Sequence, residues 1–317
     1  MTSGWLVRRV LLALVAALGV VVIVFTLIRL VPGDVVTNLI GLEGNVSAEQ
    51  QAEMRRLFGL DQPIIVQFGQ WFGALLGGDL GHSLRTDRPV LQDLLMRFPV
   101  TLELTVLALL FALLIAVPLG VVAALRRGKT ADFLSSGFVL VGLAAPEFWL
   151  AILLILLFSL KLGWFPPNGF VPFWDNPAAN LWHMFLPAFA LSLSLAAAVT
   201  RIVRSSLLEV LSQDYVRTAR AKGVTERSVV YRHAMRNALI PVITVVGLQV
   251  GNLLGGAVII EQLFGLPGIG RFALEGINLR DYPVVQGAVL WIATTFVLVN
   301  LLVDVLYALV DRRVAYA

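Results

Sequence analysis

Long apolar stretches separated by short polar segments dominate this chain. A helix needs about 20 apolar residues to cross the ~30 Å hydrocarbon core of a bilayer. Six stretches approach or exceed that length, and each predicts a transmembrane helix. They cover Val10–Ile28, Val100–Leu125, Phe133–Leu160, Leu186–Val199, Ala238–Ile260 and Val284–Val310. The fourth is short as drawn and is expected to include flanking residues.

An alternative for the first stretch is a cleaved signal peptide, because Arg8 and Arg9 precede it. A cleavable apolar core has about 7–15 residues, and Val10–Ile28 is longer than that. Pro32-Gly33-Asp34 is also a poor small-residue cleavage site. We therefore expect the first stretch to be a retained helix.

The polar segment after the first stretch carries two helical patterns of its own. The first covers Ser47–Leu57 and opens with a capping box. The second covers Ile64–Leu76, opened by Pro63 and closed by Gly77 and the glycine after it. We expect residues 31–97 to form an extracytoplasmic insertion that is too small to be an independent domain.

A second structured polar segment, Asp214–Asn237, lies between the fourth and fifth stretches. Its pattern predicts two short helices, with Gly223 ending the first in a left-handed conformation and Thr225 capping the second. The predicted apolar faces are Tyr215, Val216 and Ala219 on the first helix, and Val229, Val230, His233, Ala234 and Asn237 on the second. Such faces favour a docking surface over an ordinary polar loop. A DNA-binding helix-turn-helix has a similar outline, but a segment held at a membrane could hardly surround duplex DNA, so we expect no nucleic-acid partner.

Composition and charge place the chain in a bilayer and orient it there. The chain is 58% hydrophobic and 14% charged, with a mean hydropathy of +0.87, whereas soluble domains have roughly 25% charged residues. Basic residues collect before the first stretch, between the second and third, between the fourth and fifth, and after the sixth. The positive-inside rule makes these segments cytoplasmic. The pattern therefore predicts an all-α membrane protein with six transmembrane helices and both termini in the cytoplasm.

Several kinds of chemistry have no support in the sequence. There are no cysteines, and the three histidines lie far apart without an HExxH pair. Gly128-Lys-Thr130 mimics the end of a phosphate-binding loop, but Ala123 occupies the position of the required first glycine. We expect no catalytic site, no metal site and no ATP bound by this chain.

Polar residues inside the apolar stretches are candidates for lining a pathway. A charge at the centre of a membrane helix costs about 2.5–3.5 kcal/mol, so each such residue needs an explanation. The candidates are Glu147, Gln249, Asn252 and Asp304, and Glu103 lies near the outer end of its stretch. A carboxylate that braces neighbouring helices is an equal alternative to a pathway role.

Small residues at four-residue spacing occur in the fourth and fifth stretches. They are Ala190, Ser194 and Ala198 in the fourth, and Gly247, Gly251 and Gly255 in the fifth. Stacked small residues let helix backbones approach closely in lipid, which predicts dense helix packing. A moving or channel-lining contact is the alternative.

The segment Arg217-Thr-Ala-Arg-Ala-Lys-Gly223 resembles the EAA signature of bacterial ABC-importer permeases. Its small residues and Gly223 match, whereas Arg217 stands where the signature has Glu and Arg236 stands where it ends in Pro. The late Pro241 is similar to the dipeptide/oligopeptide/nickel branch of that family. Further stretches resemble this branch along most of the chain: Pro32-Gly-Asp34, Leu57-Phe-Gly-Leu-Asp-Gln-Pro63, Gly78-Asp-Leu-Gly-His-Ser83, Arg97-Phe-Pro-Val-Thr101, Pro146-Glu-Phe-Trp149, Phe264-Gly-Leu-Pro-Gly-Ile-Gly270, Arg280-Asp-Tyr-Pro-Val-Val-Gln-Gly287 and Asn300-Leu-Leu-Val-Asp304.

The resemblance implies half of an importer in the cytoplasmic (inner) membrane of a bacterium. Its partners would be a second, homologous permease, two cytoplasmic ATPases that hold ATP and magnesium, and an extracytoplasmic binding protein. Residues 1–30 would be the first transmembrane helix, 31–97 the insertion, and 98–317 a five-helix permease core with the coupling segment 201–237. The ATPase-coupling residues implied within 214–237 are Arg217, Ala219, Arg220, Ala221, Gly223 and Arg236.

The resemblance leaves the cargo open. Short peptides are the main hypothesis, and nickel or a nickel chelate is the alternative within the family. An ion-driven secondary transporter is a different class, which would need no ATPase. An intramembrane enzyme is disfavoured because no catalytic pair occurs within the apolar stretches.

Overall fold

The computed structural model describes residues 3–30, 49, 53, 56 and 61–310, without the side chains at 3–7, 10, 27–30, 252, 256 and 304–310. These residues are mostly helical and, in the part of the chain described, contain no strand beyond one isolated bridge between His82 and Pro89. The fold is therefore all-α, as predicted. The helices are α1 Ser3–Leu30, α2 Ile64–Leu76, α3 Val90–Leu125, α4 Thr130–Ala144, α5 Glu147–Leu154, α6 Pro177–Leu211, α7 Asp214–Ala221, α8 Glu226–Ser228, α9 Met235–Phe264, α10 Ile269–Leu279 and α11 Tyr282–Val310.

Two π-helical segments complete the helical elements. The first, Ile155–Lys161, continues α5, and the second, Val229–Ala234, joins α8 to α9 without a break. A π-helix has hydrogen bonds from residue i to i+5, so its turns are wider and contain more residues than those of the α-helix around it. The register of side chains therefore changes across each segment.

Helix length and composition support a chain that crosses a membrane several times. Among the described residues, four helices are long and apolar enough to span: Val90–Leu125, Pro177–Leu211, Glu226–Gly255 and Tyr282–Val303. The number rises to six if each of two bent helix pairs is one span. The apolar part of α1 whose side chains are described, Leu11–Thr26, is shorter. The six-helix count and the orientation of the termini remain predictions from the sequence.

The third apolar stretch is not one continuous helix, and it counts as one span only if the bent pair α4 and α5 crosses the membrane together. α4 and α5 meet at an angle of 108°. The break lies at Ala145, which has ψ 132°, followed by Pro146. Proline disfavours the α conformation of the residue before it and removes a backbone donor, so the helix ends there. Glu147 consequently begins α5 instead of lying midway along a span.

Among the other predicted helices, α2 has the predicted boundaries, whereas α3 and α6 are longer than predicted. α2 covers the predicted Ile64–Leu76, with Pro63 at its N-cap and Gly77 at its C-cap. α3 begins at Val90, ahead of the predicted Val100, and α6 extends the short fourth stretch at both ends. The predicted helix Ser47–Leu57 lies outside the described residues except at three single positions.

The chain divides into two compact units. The first is built mainly from Thr101–Leu266, with the last part of α11. Its centre is α6, which packs against α4, α5 and α9. Close approach is visible at Gly142, where an added Cβ would lie 2.7 Å from the Cβ of Ala197. α6 is thus held between neighbouring helices along its length.

The second unit contains the described part of Leu11–Val100 together with Pro267–Val297. The start of α3, α10 and the start of α11 enclose one apolar core. Its buried members are Val90, Leu94, Ile269, Phe272, Ala273, Val284 and Ala288. Gly287 allows α11 to approach α3 closely, since an added Cβ would lie 2.6 Å from Val90 Cγ1.

Candidate functional site

The first helix of the polar segment between α6 and α9, α7, packs within the first unit through one buried side chain. α7 has acidic Asp214 in its first turn, which is favourable at the positive end of the helix dipole. Val216 is fully buried, whereas Arg217, Thr218 and Ala221 on the same helix are exposed. α7 is therefore an amphipathic helix that rests on Val216 and presents its other side to solvent.

Gly223 ends α7 in the left-handed conformation that the sequence predicts, with φ +76°. Its N–H donates to the carbonyl of Arg220 at 2.9 Å, and the N–H of Val224 donates to the carbonyl of Ala219 at 3.2 Å. This pair of bonds is a Schellman motif. An added Cβ would meet nothing within 4 Å, so the requirement for glycine comes from the backbone conformation alone.

The second predicted helix differs from expectation in its cap and its register. Thr225 occupies the N-cap position but makes no side-chain capping hydrogen bond. Val229, Val230 and Ala234 are buried as predicted, but His233 and Asn237 are exposed. The π-helical segment explains this, because i and i+5 share a face there and Val229 aligns with Ala234 instead of His233.

Two side-chain pairs connect the two sides of the Gly223 turn. Arg220 donates from Nε to Glu226 Oε2 at 3.1 Å and from Nη2 to Oε1 at 2.6 Å. The Glu226 carboxylate raises the pKa of the Arg220 guanidinium above its usual value. Asn237 Nδ2 donates to the Tyr215 hydroxyl at 2.8 Å. Exposed pairs of this kind contribute about 0.2–1 kcal/mol each, so they define the geometry of the turn more than its stability.

A third pair fixes the helix that leads into the segment. Arg204 of α6 donates from Nε to Asp132 Oδ1 at 2.6 Å and from Nη2 to Oδ2 at 2.9 Å. The same carboxylate accepts from the N–H of Gly128 at 2.9 Å, and Gly128 has φ +73°. The sequence suggested neither residue, since Arg204 counts there only as a cytoplasmic charge. The sequence did contain one signal for this pair. Asp132 is an acidic residue in the first turn of a helix, shortly after a group of basic residues.

The solvent-facing side of the segment is basic. The exposed cations are Arg217, Arg220, Lys222, Arg227, Arg232 and Arg236. Ala221 is exposed between them and has no side chain beyond Cβ to prevent close contact. Such a surface suits a groove on a partner that carries acidic side chains.

The structure places the predicted pathway residues in different settings. Glu147 is half-buried beside Ser194 of α6, and Glu103 lies beside Asn180. Gln249 is half-buried in α9. The side chains of Asn252 and Asp304 lie outside the described residues. The structure therefore does not bring the four predicted pathway residues together into one site.

The predicted packing glycines also differ from one another. Gly247 of α9 lies directly against the Val303 side chain of α11, where an added Cβ would overlap it. Gly251 is buried, whereas Gly255 is exposed with open space around its Cα. In α6, Ala190 and Ala198 are buried and Ser194 is half-buried. Of the three predicted packing glycines in α9, Gly247 is thus the one at which the described residues show a close approach to α11.

Sequence reasoning missed one ionisable residue that is fully buried. Glu261 of α9 has 0% exposure, and its Oε1 accepts a hydrogen bond from Thr101 Oγ1 at 2.6 Å. The predicted fifth apolar stretch ends at Ile260, one residue before Glu261. Its position directly after an uninterrupted apolar run was the available signal. A carboxylate held in this way braces α3 against α9.

The described residues show no cluster that could hold a metal ion. Val216, Gly223 and the Arg204–Asp132 pair hold the segment in one geometry, with its basic side exposed to solvent. Comparison with known proteins adds to this result.

Two family models match the chain. One, described as "Binding-protein-dependent transport system inner membrane component", covers residues 116–316. The other describes the N-terminal part of such membrane components and covers residues 2–105.

Curated relatives match over the full length. The chain is 41% identical to a dipeptide transport system permease protein of Alkalihalophilus pseudofirmus, over 99% of both chains. It is 44% identical to a putative peptide transport system permease protein of Brucella melitensis, over 100% of both. The dipeptide transport system permease protein of Escherichia coli K12 is 40% identical over 98% of both.

Solved structures share the fold at low sequence identity. An inward-facing structure of the MetNI methionine ABC transporter has a TM-score of 0.57 and 18% identity, and the match covers 69% of this chain and 97% of that one. A crystal structure of an amino acid ABC transporter has a TM-score of 0.50 and 18% identity, covering 70% and 94%.

Proposed function

This chain belongs to the family of binding-protein-dependent transport system inner membrane components, and we propose that it forms half of the translocation pathway of an ATP-binding-cassette importer for short peptides. The observation that carries the proposal is full-length similarity at 40–45% identity to permeases named for dipeptide or peptide transport. The resemblance to solved ABC transporter permeases supports the fold.

The complex around the chain follows from this assignment. The partners are a second, homologous permease, two cytoplasmic ATPases that bind ATP and magnesium, and an extracytoplasmic binding protein that delivers the peptide. The chain itself has no catalytic role. It lies in the cytoplasmic membrane of a bacterium, and the distribution of basic residues supports six spans with both termini inside. Residues 31–97 then face outward, between the first span and the permease core.

Coupling to ATP hydrolysis requires a rigid connection between the docked segment and the spans. α7 is the coupling helix in this proposal, and its exposed Arg217 and Ala221 face the ATPase. Buried Val216 holds α7 against the first unit, and the Arg204–Asp132 pair fixes the end of α6 that leads into it. When ATP closes the ATPase dimer, the motion of α7 passes to α6 and α9 because these joints deform little.

The test is purification of the chain in mild detergent from the cells that naturally produce it. Mass spectrometry should find a second permease, two ATPase subunits and a bound peptide. In proteoliposomes, a labelled dipeptide should enter only with ATP and the binding protein present. Uptake by the purified chain alone under an ion gradient would contradict the proposal, and bound nickel in place of peptide would correct its cargo.

A further inference from the structure

The second unit contains a small polar cavity that the proposed coupling mechanism does not use. Its volume is about 160 Å³, and it is lined by the loop before α3, the first turns of α3, one side of α10 and the start of α11 with the turn before it. Pockets for whole small molecules measure about 300–1,000 Å³. The cavity is therefore suited to a single functional group or side chain. By the predicted topology it opens on the extracytoplasmic side.

The walls of the cavity are held by buried contacts. Ser83 Oγ donates to Asp281 Oδ2 at 2.6 Å, which joins the loop before α3 to the turn after α10. The same Ser83 oxygen accepts from the N–H of Thr86 at 3.1 Å. Ser83 and Asp281 are only 5% and 3% exposed. The cavity is thus a preformed feature of this unit.

Backbone strain also concentrates at this place. Two residues other than glycine have positive φ among the described residues: Asp87, with φ 55°, and Arg280, with φ 52°. Each directly adjoins residues that line the cavity. Left-handed conformations of such residues are uncommon and cost free energy, and they cluster at functional sites.

The charges around the cavity leave cations without carboxylate partners. Its three acidic residues are engaged: Asp93 with Arg88 at 3.7 Å, Asp281 with Ser83, and Glu275 with Arg271 at 2.9 Å. Arg85 and Arg97 also line the cavity, and within the described part of the chain neither has a carboxylate partner. An anionic ligand in the cavity would meet these two guanidinium groups, while the three acidic residues are already engaged.

Of Arg85 and Arg97, Arg97 is the one whose guanidinium is already held in position by a neighbouring side chain. Its Cζ lies 4.4 Å from the centre of the Phe272 ring, and Phe272 is itself fixed in the apolar core of the unit. A guanidinium that stacks on an aromatic face keeps its N–H donors at its edge, where they match the two oxygens of a carboxylate. The stacking therefore orders Arg97 before any ligand arrives.

We propose that this cavity receives a carboxylate side chain, Asp or Glu, from the extracytoplasmic binding protein when it docks. The inference rests on the proposed function, because that function supplies the partner. The size of the cavity favours one side chain over a whole peptide, and the exposed Arg85 and Arg88 at its rim make it accessible to a protein surface. The salt bridge formed with Arg97 fixes the orientation of the docked protein above the pathway.

The test measures affinity of the peptide-loaded binding protein for the complete transporter in lipid nanodiscs. Arg97→Gln should weaken binding about tenfold or more and reduce its dependence on salt concentration. Arg97→Lys should recover only part of the affinity, because lysine lacks the planar fork. Lys161→Gln removes an exposed cation outside the cavity and should have little effect. Basal ATP hydrolysis without binding protein should remain unchanged in all three variants.

The possible outcomes separate the two proposals. If the wild-type complex neither binds the binding protein nor imports peptide, the proposed function itself fails. If wild type binds and Arg97→Gln binds equally well, or no worse than Lys161→Gln, only the cavity proposal fails. If Arg97→Gln instead abolishes direct binding of a free dipeptide and leaves docking intact, the cavity is a cargo site and the docking proposal is overturned.

Discussion

Arg204 and Asp132 are 72 positions apart in the sequence, yet their side chains form two short hydrogen bonds between α6 and α4. The Asp132 side chain is 9% exposed, and that of Arg204 is 32% exposed. Because α6 leads directly into α7, this pair fixes the permease side of the proposed joint to the ATPase.

Breaking the Arg204–Asp132 pair should weaken both stability and coupling. We expect Asp132→Asn and Arg204→Gln each to lower the unfolding temperature of the purified complex and its peptide uptake per ATP hydrolysed. Because the two side chains act as one unit, the double variant should lose little more than the worse single variant. Arg201→Gln removes an exposed charge one turn away and is the control. Additive losses would show that the two residues act independently.

We expect Gly223 to be required because its backbone has positive φ, and not because a larger residue would clash with its neighbours. Valine in a left-handed conformation costs about 1–2 kcal/mol, and an added Cβ would meet nothing within 4 Å. We expect Gly223→Val to leave assembly largely intact and to uncouple ATP hydrolysis from uptake in proteoliposomes. Gly223→Asn, which tolerates positive φ, should retain most coupling. The control is Gly137→Val, at a glycine with equally open surroundings and no positive φ. Normal uptake by Gly223→Val would contradict the prediction.

Val216 should determine whether α7 stays seated on the permease. Val216→Asp places a carboxylate at a fully buried position without a cationic partner, which costs several kcal/mol. We expect α7 to detach and the ATPases to be lost on purification, while the membrane-spanning part remains folded. Thr218→Asp makes the same chemical change at an exposed position of the helix and should retain the ATPases. If both variants lose the ATPases equally, the added negative charge and not the burial of Val216 explains the loss.

Thr101 should stabilise the buried carboxylate of Glu261. Thr101→Val keeps the shape but removes the donor, which we expect to cost about 1–3 kcal/mol. Thermal unfolding of the purified chain measures this loss of stability. Thr101→Ser keeps the hydroxyl donor and should have the stability of the wild type. Thr105→Val is the matched control, since the equally buried Thr105 hydroxyl donates only to the carbonyl of Thr101 in its own helix. A similar loss in both valine variants would mean that the Glu261 contact is unimportant.

Local signals in the sequence were sufficient for several elements. Pro63 and Gly77 define α2 because both residues act on the backbone next to them. Gly223 predicts the end of α7 for the same reason, since positive φ restricts the choice of residue. Hydropathy found the long helices because apolar length is a property of a single segment.

Features that depend on distant residues or on bends were not accessible in this way. Hydropathy averages across Ala145 and Pro146, so it merged α4 and α5 into one stretch. The Thr101–Glu261 bond joins residues 160 positions apart, and nothing local to either residue announces the other. His233 was predicted on the apolar face but is exposed, because the segment is π-helical. A prediction that assumes a fixed period of 3.6 residues cannot include such a change of helix type.

The π-helical segment at Val229–Ala234 has a consequence for how the family can vary. One residue added to an α-helix turns everything before it by about 100° relative to everything after it. Gaining or losing that residue would therefore swing α7 around the axis of α9 while α9 itself stayed in place. A permease could in this way match a differently shaped ATPase by a single insertion or deletion, without any change to its spans.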